Sequence, residues 1–113
     1  MHELGIVYQI VKTVDAVKKE QSLSEIDTIV LQIGEMSDVV PKFIEKAWDS
    51  VKSATAYGNT KMKIEVIPAR AKCTNCNFEA DVKSLGLTCP KCGKADFKII
   101  SGREFLIKEI VAK

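Results

Sequence analysis

The chain has 113 residues, which is enough for one domain or for a small core that carries a minor module. Hydrophobic residues make up 46% and charged residues 28%, an ordinary globular composition. No apolar run approaches the roughly 20 residues of a membrane-spanning helix, so we expect no membrane partner. The formal net charge is only +2, which gives no support to a polyanionic partner such as nucleic acid.

The first predicted element is an amphipathic helix over residues 4–18. Its apolar side chains recur at intervals of three and four, and polar side chains occupy the opposite face. Glu3 is well placed in the first turn, where a carboxylate interacts favourably with the helix dipole. The predicted apolar stripe comprises Leu4, Val7, Val11, Val14 and Val17, with Tyr8 and Ile10 at its borders.

A strand and a second helix follow. Residues 26–33 are β-branched and apolar, which predicts a strand that ends at Gly34. The second helix is predicted from about Val40, with Pro41 in its first turn, where the missing N–H costs nothing. We expect the apolar stripe of this helix to pack in the core rather than to line a ligand pocket. It comprises Val40, Phe43, Ile44, Ala47, Trp48 and Val51.

Four cysteines then occur in two CxxC pairs, Cys73 with Cys76 and Cys89 with Cys92, with 12 residues between the pairs. Two such turns can direct four thiolates at one centre, the ligand set of a closed tetrahedral zinc site. Because protein ligands fill all four positions, this site stabilises structure and has no position for a substrate. Four thiolates and one Zn²⁺ lower the formal charge from +2 to about zero. Asn77 can adopt a left-handed conformation if the turn requires one.

Two disulfides and a redox-active CxxC are the alternatives for these cysteines. Both are less favoured, because no secretion signal opens the chain and a redox motif needs only one pair. We therefore expect a cytoplasmic protein.

Two further predicted strands flank the cysteines. Met62, Ile64 and Val66 alternate with charged residues, which predicts a half-buried strand, and a last strand is predicted over residues 104–111. If the two pair antiparallel, the cysteine segment is an insertion at the end of a hairpin. The expected fold is α+β: a small sheet of about three strands packed with two helices, with an inserted zinc-ribbon module. The predicted domains are a discontinuous α/β domain, residues 1–71 and 100–113, and a zinc-binding domain, residues 72–99.

The only histidine, His2, follows Met1 directly. The Met1 amine, the His2 backbone nitrogen and the His2 imidazole can chelate one ion through fused small rings. This planar nitrogen set suits Ni(II) or Cu(II) better than zinc. The alternative is that His2 belongs to a solvated chain end and that Glu3 serves only the helix dipole.

Four segments, in this order, resemble those of a known family. They are Met1-His2-Glu3-Leu4, Ile33-Gly34-Glu35-Met36-Ser37, the two CxxC pairs, and Ser101-Gly102-Arg103-Glu104. Together they are similar to the HypA/HybF nickel metallochaperones, which assist the assembly of nickel–iron hydrogenases and, in some organisms, urease. Near the first segment, Gly5 stands where a serine is common in that family.

The resemblance implies a function and a set of ligands. Nickel is the cargo, bound at Met1, His2 and Glu3. Zinc is structural, bound at Cys73, Cys76, Cys89 and Cys92. The implied partners are a nickel-incorporation GTPase and the hydrogenase large subunit.

We therefore predict a nickel metallochaperone with a structural zinc site. The alternative is a zinc-ribbon module that binds protein or nucleic acid and has no nickel role. We expect no enzyme, because the only histidine is at the terminus and every cysteine is assigned to zinc. Whether the protein is a monomer or a dimer stays open.

Overall fold

A computed structural model describes residues 3–113, so Met1 and His2 of the predicted nickel site lie outside the described residues. The elements are α1 (Glu3–Glu20), β1 (Ile26–Gly34), α2 (Pro41–Lys52), β2 (Lys61–Ile67), β3 (Arg70–Cys73), β4 (Glu79–Asp81), a 3-10 turn (Val82–Ser84), β5 (Phe97–Ser101) and β6 (Phe105–Ala112). They form two three-stranded sheets, the main sheet β2-β1-β6 and the ribbon sheet β4-β3-β5. Across residues 3–113, no helix has the length and apolar character needed to cross a membrane.

The central strand of the main sheet is β1. It pairs in parallel with β2, where Thr28 lies opposite Lys61, and antiparallel with β6, where Ile33 lies opposite Phe105. A parallel pair needs a long crossover connection, and α2 lies within the one that joins β1 to β2. The α+β fold, with two helices, a three-stranded sheet and an inserted ribbon, is confirmed.

The hairpin that antiparallel pairing of the two flanking strands would have made does not form. The strands on either side of the cysteine segment, β2 and β6, do not pair with each other, because β1 lies between them. The segment is still an insertion between two strands of one sheet, but it extends from two strands that are separated by a third. We call residues 70–101, from the first to the last residue of the ribbon sheet, the ribbon segment.

Both helices pack on the main sheet and form the core with it. The buried residues of this core come from α1, β1, α2 and the neighbouring loops, and they are Val7, Ile10, Val14, Ile26, Ile29, Leu31, Ile33, Val39, Ile44, Trp48, Val51 and Tyr57. Residues of β2 and β6, among them Ile64 and Ile107, pack against it from the sides. The core therefore belongs to the main sheet and the helices, and none of its members comes from the ribbon segment.

The predicted helical stripes are wrong at one end. Leu4 and Phe43, both assigned to a stripe, are each 48% exposed, and Val40 is exposed as well. Ile10, assigned to a border, is buried. Leu4 and Phe43 lie in the first turn of their helices, where side chains lean towards the helix N-terminus and so beyond the packed part of the helix.

One polar side chain lies within this core. Thr60 is 4% exposed, and its hydroxyl donates to the carbonyl of Ile26 at 2.7 Å. The carbonyl of Thr60 accepts a hydrogen bond from the indole Nε1 of Trp48 at 3.2 Å. Thr60 thereby connects the loop after α2 to the beginning of β1.

Thr60→Val is expected to lower the free energy of unfolding by about 1–2 kcal/mol, because valine keeps the shape but leaves the Ile26 carbonyl without this donor. Urea unfolding followed by the fluorescence of the single tryptophan, Trp48, measures the change. Thr13→Val is the matched control, since Thr13 is exposed and bonds only within α1, to the Gln9 carbonyl. Equal losses in the two variants would contradict the assignment.

Candidate metal centre

The structure brings the four predicted zinc ligands together. The Sγ atoms of Cys73, Cys76, Cys89 and Cys92 all lie within 4.8 Å of one another. The Sγ atoms of Cys73 and Cys92 are 3.5 Å apart, and those of Cys76 and Cys89 are 3.6 Å apart. A tetrahedron of sulfurs around zinc, with Zn–S bonds of about 2.3 Å, has edges of about 3.8 Å. The cluster therefore fits a four-cysteine zinc site in both ligand type and spacing.

The two pairs of cysteines lie on turns of the same construction. In the first, Cys73 ends β3, its N–H donates to the Phe78 carbonyl at 2.8 Å, and its carbonyl accepts from Asn77 at 2.9 Å. In the second, the N–H of Cys89 donates to Lys94 at 2.7 Å and its carbonyl accepts from Gly93 at 2.8 Å.

Both turns have a residue with positive φ directly after the second cysteine. These residues are Asn77, with φ of 66°, and Gly93, with φ of 78°. Glycine adopts this conformation without a steric penalty, and asparagine tolerates it better than most residues do. Asn77 therefore adopts the left-handed conformation that the sequence analysis allowed for it, in a turn that requires one.

Backbone N–H groups around the cluster stabilise thiolates. The N–H of Lys94 lowers the pKa of the Cys92 thiol to about 6. The N–H of Phe78 also acts to lower the pKa of Cys76, but burial and the three neighbouring thiols together raise it to about 12. Four close thiols therefore do not all ionise by themselves. A bound divalent cation supplies the charge that full ionisation needs, so metal binding and proton release are linked.

The disulfide alternative does not match the geometry. All four thiols, which lie within the described residues, are free. The separations of 3.5 and 3.6 Å are also far longer than the S–S bond of about 2.05 Å. The cluster is thus a set of four free thiols whose arrangement fits a metal ion, and not a pair of cross-links.

One polar contributor to this cluster was not predicted from the sequence. The side chain of Asn75, between the cysteines of the first pair, hydrogen-bonds to the sulfur of Cys92 in the second pair and helps to lower its pKa. An amide side chain between two ligands was the available signal. The sequence does not specify that Asn75 reaches the other pair, because this contact depends on how the two turns pack together.

Of the three predicted nickel ligands, Glu3 lies within the described residues. Glu3 is half-buried and begins α1, where its carboxylate lies in the first turn. Met1 and His2 lie outside the described residues. Within residues 3–113, the four cysteines are the only group of three or more His, Cys, Asp or Glu side chains close enough to share an ion. The nickel ligands stay a prediction.

Comparison with known proteins identifies the family. Residues 1–112 match the family described as "Hydrogenase/urease nickel incorporation, metallochaperone, hypA". The chain belongs to the HypA family. The resemblance found in the sequence is confirmed, and the chain is a nickel metallochaperone of this family. The match covers almost the whole chain, and it leaves the alternative of a ribbon module without a nickel role unsupported.

Curated relatives agree with this assignment. The hydrogenase maturation factor HypA of Moorella thermoacetica is 31% identical over 107 residues, 95% of each chain. That of Chlorobium luteolum is 31% identical over 111 residues, 98% of this chain and 95% of the relative.

Two solved structures share the fold. A solution structure of a HypA protein superposes with a TM-score of 0.74 at 19% identity, and it covers 100% of this chain and 97% of the other. The solution structure of the Ni metallochaperone HypA from Helicobacter pylori gives a TM-score of 0.66 at 19% identity, covering 99% of this chain and 97% of that one. At this identity the likeness shows the fold alone.

Proposed function

We propose that this chain binds Ni(II) at its first three residues and delivers the ion during maturation of nickel–iron hydrogenase or urease. The observation that carries the proposal is the family match over residues 1–112, which includes the segment Met1-His2-Glu3. The Met1 amine, the His2 backbone nitrogen and the His2 imidazole supply a planar set of nitrogen ligands, which suits Ni(II). The Glu3 carboxylate lies beside them in sequence.

Two different metal sites divide the work in this proposal. Cys73, Cys76, Cys89 and Cys92 hold a structural zinc ion, and a closed tetrahedral site of this kind does not exchange its ion on demand. A carrier needs ligands that an incoming partner can displace one at a time. The first three residues provide such a site, which leaves coordination positions for water or for the ligands of a partner.

The domains, partners and location follow the same model. The α/β domain comprises residues 1–71 and 100–113, and the zinc-binding domain comprises residues 72–99. Nickel passes between this chain and a nickel-incorporation GTPase, and then to the hydrogenase large subunit, in the cytoplasm. The chain carries the ion and catalyses no reaction.

His2→Ala is expected to weaken nickel binding at least about tenfold, because even the loss of an outer hydrogen-bond partner of a metal ligand costs 10- to 100-fold in affinity. Titration calorimetry of untagged, zinc-loaded protein with Ni(II) measures the change. The zinc content and the unfolding midpoint should stay as in the wild type.

A second variant tests the amine separately. A short Gly-Ser extension before Met1 keeps the imidazole but converts the amine into an amide, and it should weaken nickel binding as well. Gln9→Ala, an exposed change further along α1, should leave the affinity unaltered. Unchanged nickel affinity in His2→Ala would refute the site.

A further inference from the structure

The main sheet and the ribbon sheet are connected through three chain segments that hydrogen-bond to one another. We call them the joint: residues 34–37, from the last residue of β1; residues 67–69, from the last residue of β2 to the start of β3; and residues 101–104, from the last residue of β5, which it shares with the ribbon segment, to the start of β6. The N–H of Glu35 donates to the carbonyl of Ile67 at 2.9 Å, and that of Met36 donates to Gly102 at 2.6 Å. The turn after β1 is therefore bonded to both connections between the sheets.

Two glycines allow these segments to approach closely. A Cβ atom on Gly34 would overlap the carbonyl group of Gly102, and a Cβ atom on Gly102 would lie 2.5 Å from the Cα of Ala69. Gly102 also has φ of 107°, which favours glycine. The three segments thus touch backbone to backbone, and both glycines belong to segments that carried the family resemblance without any assigned role.

The side chain of Glu35 adds a contact from the joint to the ribbon segment. Its Oε1 accepts from the N–H of Ala69 at 2.7 Å, and its Oε2 pairs with Nζ of Lys83 at 2.7 Å. Lys83 belongs to the 3-10 turn after β4, and the N–H of the neighbouring Val82 donates to the carbonyl of Ala69 at 2.8 Å. One carboxylate therefore contacts both the connection and the ribbon segment.

The ionised form of the Glu35 carboxyl favours both of these contacts. The hydrogen bond from Lys83 and then that from the Ala69 N–H hold the pKa of the Glu35 carboxyl below its usual range. The side chain of Lys83 is 80% exposed, and such an ion pair alone contributes little to stability. The bond to a fixed backbone N–H orients the carboxylate, so the pair acts on the direction of the ribbon segment more than on overall stability.

The molecule is elongated, so the contact of Glu35 with the ribbon segment affects how that segment is oriented on the main sheet. The radius of gyration is 18.0 Å, whereas a compact domain of this length has about 13 Å. No ribbon residue belongs to the buried core within the described part of the chain. The orientation of the four-cysteine cluster relative to the main sheet therefore depends on the joint and not on a shared core.

We propose that Glu35 is a positioning residue, which fixes the orientation of the four-cysteine cluster relative to the main sheet. Its side-chain partners, Ala69 and Lys83, are not among the proposed nickel or zinc ligands. It acts by holding Ala69 and Lys83 at once, so that the two sheets move as one body. This inference is independent of which residues bind nickel.

Residual dipolar couplings of the backbone amides in the zinc-loaded full chain test the proposal, because they report orientation rather than stability. In the wild type, couplings from the main sheet and the ribbon sheet should fit one alignment tensor with one magnitude. In Glu35→Ala, the magnitude of the alignment tensor fitted to the ribbon sheet should fall, while the magnitude fitted to the main sheet should stay unchanged. Glu65→Ala is the matched control, since Glu65 also accepts from a lysine, Lys108 at 3.1 Å, but within the main sheet.

Two conservative variants rank the contacts. Glu35→Gln keeps an acceptor for the Ala69 N–H and loses the charge, and Lys83→Met loses only the ion pair. Both should show a smaller fall in the ribbon-sheet magnitude than Glu35→Ala does. Hydrogen exchange of the Ala69 amide should accelerate in Glu35→Ala and stay slow in Glu35→Gln.

The zinc content is measured for each variant. If Glu35→Ala loses zinc, the proposal is tested by comparing the alignment tensors of Glu35→Gln and Lys83→Met with those of the wild type. The proposal would be overturned if, in the wild type, the main sheet and the ribbon sheet required alignment tensors of different magnitude. It would also be overturned if the two sheets kept one shared magnitude in the variants.

Discussion

Cys73→Ser is expected to release the zinc ion and to unfold the ribbon segment, while the main sheet and both helices stay folded. Cys73 is fully buried and ends β3, so its sulfur is one of four ligands and its backbone is part of the ribbon sheet. The strands of this sheet have only 4, 3 and 5 residues. Such a sheet, with none of its residues in the buried core, depends on metal for its stability.

The expected size of the effect follows from metal-linked folding. The apparent binding free energy of structural zinc in small peptides is about 10–16 kcal/mol, and it is folding free energy because no preformed site exists in the unfolded chain. Serine offers a weak oxygen ligand in place of a thiolate, so most of this stabilisation disappears.

Zinc content by elemental mass spectrometry and amide hydrogen exchange measure the outcome of this change together. Exchange over residues 70–101 should become fast, while β1 stays protected and the Trp48 unfolding midpoint shifts little. A chelator added to the wild type should reproduce both results. Thr74→Ala is the control, since Thr74 is exposed and lies between the same two cysteines. A Cys73→Ser protein with one equivalent of zinc would show that the ligand set is wrong.

Gly34→Ala is expected to destabilise the chain by about 3 kcal/mol, the upper end of the usual cost of overpacking. The added methyl group would overlap the Gly102 carbonyl, which is backbone and cannot rotate away as a flexible side chain would. Gly34 also donates its N–H to the carbonyl of Glu104 at 2.7 Å, so relief of the clash would break a hydrogen bond of the joint.

Urea unfolding followed by Trp48 fluorescence measures this loss. Gly58→Ala is the matched control, because the nearest atom to its added methyl group would be the Lys52 carbonyl oxygen at 3.9 Å, an ordinary contact. It should change the free energy of unfolding by less than about 0.5 kcal/mol. Equal stability of the two variants would mean that the backbone approach at Gly34 is looser than the structure shows.

Local patterns in the sequence determined much of this protein. The periodicity of apolar residues predicted both helices, with Pro41 at the beginning of α2, and a run of β-branched and apolar residues predicted β1, with Gly34 at its end. The spacing of the cysteines predicted one cluster of four thiols, which the structure contains. These features were predictable because each depends on residues a few positions apart, or on ligand chemistry that the residue types already state. The family assignment likewise rested on short segments in a given order.

Only the tertiary structure decided the features that depend on distant parts of the chain. The position of β1 between β2 and β6, and the approach of Gly34 to Gly102, join residues that lie far apart in sequence. The exposure of Leu4 and Phe43 depends on where the packed surface ends. The contacts of Glu35 with Ala69 and Lys83 depend on the same folding. Periodicity and spacing report which face of an element is apolar, but they do not specify which distant segment will lie against it.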